Sequence, residues 1–66
     1  MSFAQFQESV KSMAKRAGYN VASVRFRHED GKHIAYLPEG IRITGNSVST
    51  RMAVRWGDRH FAYAGG

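Results

Sequence analysis

Ala22-Ser23-Val24-Arg25-Phe26-Arg27 and, further on, Val48-Ser49-Thr50-Arg51-Met52-Ala53-Val54-Arg55-Trp56 decide how this chain folds. In both stretches apolar residues take turns with polar or basic ones. Successive side chains of a strand point to opposite faces, so the alternation predicts strands with one apolar and one basic face.

The turn signals between these stretches extend the pattern into a β-meander of five short strands over residues 21–63. Asp30-Gly31 is a two-residue hairpin turn. It sets Val24 opposite Leu37, Arg25 opposite Tyr36 and Phe26 opposite Ala35. Pro38-Glu39-Gly40 reads as a three-residue loop closed by a left-handed glycine, setting Tyr36 opposite Arg42 and Ala35 opposite Ile43. Gly45-Asn46 reads as another two-residue turn, placing Ile43 opposite Val48 and Arg42 opposite Ser49. Gly57-Asp58 suits a type II′ turn that sets Val54 opposite Phe61, Met52 opposite Tyr63 and Arg55 opposite His60.

These registers agree with one another, and a slip of one residue at any turn would invert everything after it. The inner face collects Val24, Phe26, Ala35, Leu37, Ile41, Ile43, Val48, Met52, Val54, Trp56, Phe61 and Tyr63. The outer face collects Arg25, Arg27, Ile34, Tyr36, Arg42, Thr44, Ser49, Arg51, Arg55 and His60.

Ahead of the meander, Phe3, Phe6, Val10, Met13 and Ala17 recur at helical steps and predict an amphipathic helix over about residues 2–17. Ser2 and Gln5 have capping-box spacing, and Gly18 is the expected stop. The fold class is therefore α+β: one N-terminal helix packed on a five-stranded antiparallel meander, with residues 64–66 as a loose tail. Gly65-Gly66 resembles the di-glycine end of ubiquitin-like modifiers, but the helix-first order does not suit that fold. Five strands at about 4.8 Å spacing span about 24 Å, and a helix is about 10–12 Å across. Either the sheet curls strongly around the helix or a second copy, making a homodimer, covers the remainder.

Sixty-six residues form one domain. A chain this short buries only about 60% of its unfolded surface. It holds no cysteine to staple it, which fits a reducing, cytoplasmic setting. No apolar run reaches the roughly 18 residues of a membrane span, so no membrane association is expected. Lys+Arg number 10 against 5 Asp+Glu, for a formal charge of +5, and seven of the ten are arginine. The planar guanidinium fork matches phosphate, carboxylate and base edges. Such a balance favours nucleic acid or an acidic protein surface.

The outer face concentrates this charge. Arg25, Arg27, Arg42, Arg51 and Arg55 lie among Tyr36, Thr44 and Ser49, with no carboxylate expected beside them. Cations for phosphates, an aromatic for stacking and small hydroxyl donors together describe a nucleic-acid surface. A solvated face would mix signs, because like charges on adjacent strands repel. Arg25, Arg27, Tyr36, Arg42, Arg51 and Arg55 are the candidate binding residues. The histidines carry no expected chemistry. His28 and His33 face each other beside the first turn and read as solvent-side, and His60 lies on the other face, so no third metal ligand converges. No catalytic residue, metal or cofactor is expected.

Lys15-Arg16-Ala17-Gly18-Tyr19 followed by Phe26-Arg27-His28-Glu29-Asp30-Gly31-Lys32 resembles the start of HicA-type toxins. That resemblance implies a helix followed by a sheet, and RNA cleavage. It covers about a third of the chain. The family's Gly-Ser-His segment before the second strand is absent, since Val21-Ala22-Ser23-Val24 stands there, so the family's catalytic histidine does not carry over to His28. Strand pattern also replaces its closing helix. The expectation is a small non-enzymatic protein that grips DNA or RNA in a regulatory or accessory role. The alternatives are an inhibitor or adaptor docking the same face on an acidic partner, as small phage and mobile-element proteins do, and, behind it, an RNA-cleaving toxin.

Overall fold

A computed structural model describes residues 1–56 and the backbone of residues 59–64. The chain is α+β, with one N-terminal helix, α1 (Phe3–Arg16), packed on an open antiparallel sheet. The strands are β1 (Arg25–Glu29), β2 (Lys32–Tyr36), β3 (Ile41–Asn46), β4 (Arg51–Trp56) and, as backbone, β5 (Arg59–Ala64). Each pairs with its neighbour in sequence, in the order β1-β2-β3-β4-β5.

Both ends of α1 follow from local chemistry. The Gln5 amide donates to Ser2 Oγ (3.1 Å), and the Ser2 amide donates to Gln5 Oε1 (2.7 Å), completing the expected capping box. At the other end Gly18 takes φ +87°. Its amide donates to the Lys15 carbonyl, and that of Tyr19 to the Ala14 carbonyl, so two terminal carbonyls find donors in a Schellman arrangement. Ala14, rather than Ala17, completes the buried stripe behind Phe6 and Val10. The chain turns away after Arg16, so Ala17 never reaches the sheet.

Val21–Ser23 form a 3₁₀ turn where the meander was expected to begin. Asn20 caps it, accepting from the Ala22 amide at 3.0 Å. Asp30 (φ 49°) and Gly31 (φ 74°) both adopt positive φ, the geometry of the expected hairpin turn. The register is Arg25↔Tyr36 and Phe26↔Ala35, then Tyr36↔Arg42 and Ala35↔Ile43, as the alternation requires.

The next connection differs from expectation. Gly45 and Asn46 remain in β3, and Ile43 pairs with Val54 rather than Val48. Arg42 accordingly pairs with Arg55 rather than Ser49. Two effects, one local and one from the helix, accompany the longer loop. Asn46 Oδ1 accepts from the Val48 and Ser49 amides (2.9 and 2.8 Å), and Ser49 Oγ accepts from the Arg51 amide (3.0 Å), so side chains satisfy the loop's backbone donors. Gly45 lies in the strand with Phe6 packed against it, where an added Cβ would meet Phe6 Cδ1 at 3.0 Å, so its glycine serves this close approach rather than a turn. Val48 is consequently 93% exposed instead of inside. The partner of Ile43 moves by six positions, an even number, so Met52 and Val54 keep the face assigned to them.

The core comprises Phe6, Val10, Ala14, Val24, Ala35, Ile41, Ile43 and Met52, with Phe3, Met13, Phe26, Leu37 and Val54 packed against it. α1 lies mainly over β2 and β3, and the Phe3 and Phe6 rings meet Phe26 of β1 edge-on. Trp56 pairs with Ile41 and was expected inside, yet it is half exposed. The helix does not reach that end of β4. The Gly57-Asp58 turn, the side chains of His60, Phe61 and Tyr63, and the Gly65-Gly66 tail lie outside the described residues. Ala64, read as tail, ends β5.

Candidate nucleic-acid interface

The alternation that buries Ala35, Ile43 and Met52 directs their strand neighbours outward. Cross-strand pairing then arranges these outward residues in rows. One row runs Arg25↔Tyr36↔Arg42↔Arg55 from β1 to β4, and its β5 position is His60. All four leading side chains are exposed. The second row runs Arg27↔Ile34↔Thr44↔Ala53. Its members beyond Arg27 are half-buried, and they floor a shallow depression of about 540 Å³ whose rim carries Lys32, Asn46 and Arg51.

The six expected site residues are thus divided. Arg25, Tyr36, Arg42 and Arg55 form one line. Arg27 stands in the next row and Arg51 beyond it, opposite Ala64 of β5. Ser49, expected beside Arg42, lies in the β3–β4 loop. The face also holds a carboxylate that the expectation omitted. Glu29 Oε2 is 2.9 Å from the Arg27 guanidinium, and both side chains are more than half exposed. An exposed pair of this kind contributes about 0–1 kcal/mol. Among the described residues no such ion pair reaches Arg25, Arg42 or Arg55.

The electrostatics of the first row are unfavourable in the free protein. Arg42 and Arg55 are directly opposed, and like charges at such positions destabilise a sheet by roughly 0.2–1 kcal/mol. Tyr36 separates Arg25 from Arg42 and is 40% exposed. The row can therefore offer guanidinium forks to anionic oxygens on both sides of one aromatic surface.

The histidine pair is placed differently from expectation. His28 and His33 do oppose each other, with rings 5.0 Å apart, but on the inner face. His33 is buried between the rings of Phe3 and Phe6, and His28 stacks on Phe3 at 5.0 Å. The Met1 carbonyl lies 3.0 Å from His33 Nε2 and can only accept, so Nε2 carries the proton. Nδ1 has no partner among the described residues. The signal for burial was in the sequence, since His33 shares its parity with Ala35 and Leu37. Among the described residues no three potential ligands converge on a metal position, and no helix is long and apolar enough to cross a membrane.

Two further contacts were not legible. The Met1 ammonium donates to the Ser49 carbonyl at 3.0 Å, tying the start of the chain to the β3–β4 loop. The Tyr19 hydroxyl donates to Glu39 Oε2 at 2.7 Å. That bond holds the Tyr19 phenol above its usual value of 10.0, with desolvation and the carboxylate's charge acting in the same direction.

Comparison with protein-family models, with curated proteins and with solved structures gives no match. After β3 the chain continues as β4 and the β5 backbone, where the HicA-type pattern has its closing helix.

Proposed function

We propose that this chain is a small, non-enzymatic nucleic-acid-binding protein that uses the outer face of its sheet, in a regulatory or accessory role in the cytoplasm. One observation carries the reading: Arg25, Tyr36, Arg42 and Arg55 occupy consecutive cross-strand positions in a single exposed row. Guanidinium groups neutralise phosphates and release condensed counterions, while an exposed aromatic in the same line supplies a stacking surface. Arg27 and Arg51 flank the row and extend the positive field. The bare apposition of Arg42 and Arg55 favours this reading over a solvated surface, since binding of an anion relieves it.

The test is a salt titration of oligonucleotide affinity by fluorescence anisotropy. Affinity should fall log-linearly with salt, by about 0.7–0.9 log units per phosphate contact. Arg42→Ala should flatten the slope by about one contact. Lys15→Ala, at the exposed end of α1, should leave it unchanged. Equal losses from the two substitutions would indicate diffuse attraction, and absence of binding to any polynucleotide at about 50 mM salt would leave the acidic-protein partner in its place.

A second reading concerns assembly, favoured by the half-exposed Trp56 on the inner face. Either strong curl of a five-stranded sheet or a second copy covers that end. Sedimentation equilibrium separates them, because a homodimer doubles the 7.4 kDa mass and curl leaves it unchanged.

A further inference from the structure

Resting on the reading above, we infer that the ligand of the outer face is a single-stranded polynucleotide, laid across the strands along the Arg25–Tyr36–Arg42–Arg55 row. The first argument is size. From β1 to β4 the row crosses three inter-strand spacings, about 14 Å in all. The major groove of B-form DNA is about 12 Å wide and admits a helix or a two-stranded ribbon. A sheet of four or more strands cannot enter it edge to edge. It can only rest on the ridge of a duplex and touch phosphates.

The second argument is the aromatic. Tyr36 sits within the row, with an arginine on each neighbouring strand and its ring accessible. In a duplex the base faces are already occupied by one another, so a tyrosine on the ridge has nothing to stack on. The shallow minor groove of duplex RNA would accept a flat face, but it too keeps its bases stacked and is read through hydroxyl and phosphate contacts. Only an unpaired base presents the flat surface that Tyr36 matches.

The third argument is the depression beside the row. Ile34, Thr44 and Ala53 are half-buried and keep the floor low, while Lys32 and Arg51 stand on its far side. A strand whose phosphates follow the arginine row can lay its bases over this floor, away from water and within reach of a second pair of cations. The row accommodates on the order of four nucleotides, at the low end for small sheet-based binders of single strands.

The experiment measures anisotropy with four probes of one mixed sequence: single-stranded DNA, single-stranded RNA, and the duplex of each. Single strands should bind at least about tenfold more tightly than either duplex, and the two single-stranded arms show whether the sugar matters. Tyr36→Ala should weaken single-strand binding roughly 5- to 140-fold without changing the salt slope, because stacking releases few ions. Tyr36→Phe keeps the ring and should retain affinity. Both variants should melt as the parent does, since Tyr36 lies on the solvent side. Duplex binding equal to or tighter than single-strand binding, or a Tyr36→Ala variant that binds like the parent, overturns this inference while leaving nucleic-acid binding in place. Failure of all four probes removes the underlying reading, and this one with it.

Discussion

Replacing Arg55 with glutamine tests whether the arginine row is held against its own repulsion. Arg42 and Arg55 are directly opposed on neighbouring strands, and both are exposed. Two unit charges about 6 Å apart in water repel by ~0.7 kcal/mol, within the range for like charges paired across strands. In a domain of this size 1 kcal/mol moves Tm by about 4–8 °C, so Arg55→Gln should raise Tm by about 3–6 °C at about 10 mM salt. The screening length shrinks from about 30 Å at that salt to about 3 Å at 1 M, where the gain should vanish. Arg55→Lys keeps the charge and should show no salt-dependent gain. Thermal melts by circular dichroism at the two salt concentrations are sufficient, because the difference between them removes any change in packing or strand propensity. A low-salt Tm that is unchanged or lowered in Arg55→Gln, relative to its high-salt difference, would refute the reasoning. The row would then carry no electrostatic strain for a ligand to relieve.

Three other outcomes follow from the packing and from the raised Tyr19 titration. Phe26→Ala should destabilise by about 3–5 kcal/mol in chemical denaturation, because its ring closes the edge of the cluster made by Phe3 and Phe6; a loss below about 1 kcal/mol would contradict that packing. Gly45→Ala should cost about 1–3 kcal/mol by overpacking, since the new methyl meets Phe6 Cδ1 at 3.0 Å, and the double variant Gly45→Ala with Phe6→Leu should recover part of the loss. Tyr19 is raised in the folded state, so the fold binds the phenolic proton more tightly than the unfolded chain does. Its contribution is complete below the unfolded phenol value and is lost as pH rises through the folded one. In an alkaline titration of phenolate absorbance, Tyr19→Phe should delete a transition lying above the ordinary phenol range, and Glu39→Gln should move that transition down.

The faces of the sheet were legible because strand alternation has a period of two and the inner face is buried. Even where the β3–β4 connection proved longer than a two-residue turn, the displacement was even and no face inverted. The loop itself was harder to read. Gly45-Asn46 has turn composition, yet Gly45 answers to a phenylalanine almost forty residues earlier, and Asn46 spends its side chain on Val48 and Ser49. The first preference does not show in the local sequence, and the second competes with the two-residue turn that the same residues suggest. The arginine row depended on that loop, because only the longer connection sets Arg55, rather than Ser49, beside Arg42. His33 failed in the opposite way. Its parity pointed inward, but its polarity suggested solvent, and the rings of Phe3 and Phe6 together with the Met1 carbonyl made burial affordable. Glu29 was left out of the outer face, although it shares its parity with Arg25 and Arg27, so its partnership with Arg27 went unseen.

The meander order has a consequence for how the molecule assembles in time. Every strand pairs with its sequence neighbour, so the sheet can zip from the Asp30-Gly31 hairpin with short loop closures, which keeps contact order low and folding fast. The helix has no such local partner. Phe6 waits for Phe26, His33 and Gly45, all of them later in the chain. The helix is therefore expected to dock late, after a sheet exists to receive it, so that an emerging chain would display an apolar helical face before anything could cover it. In stopped-flow kinetics, truncating Val10 should chiefly accelerate unfolding, whereas truncating Ala35 or Ile43 should slow folding. A strong slowing of folding by the Val10 variant would place the helix in the nucleus instead.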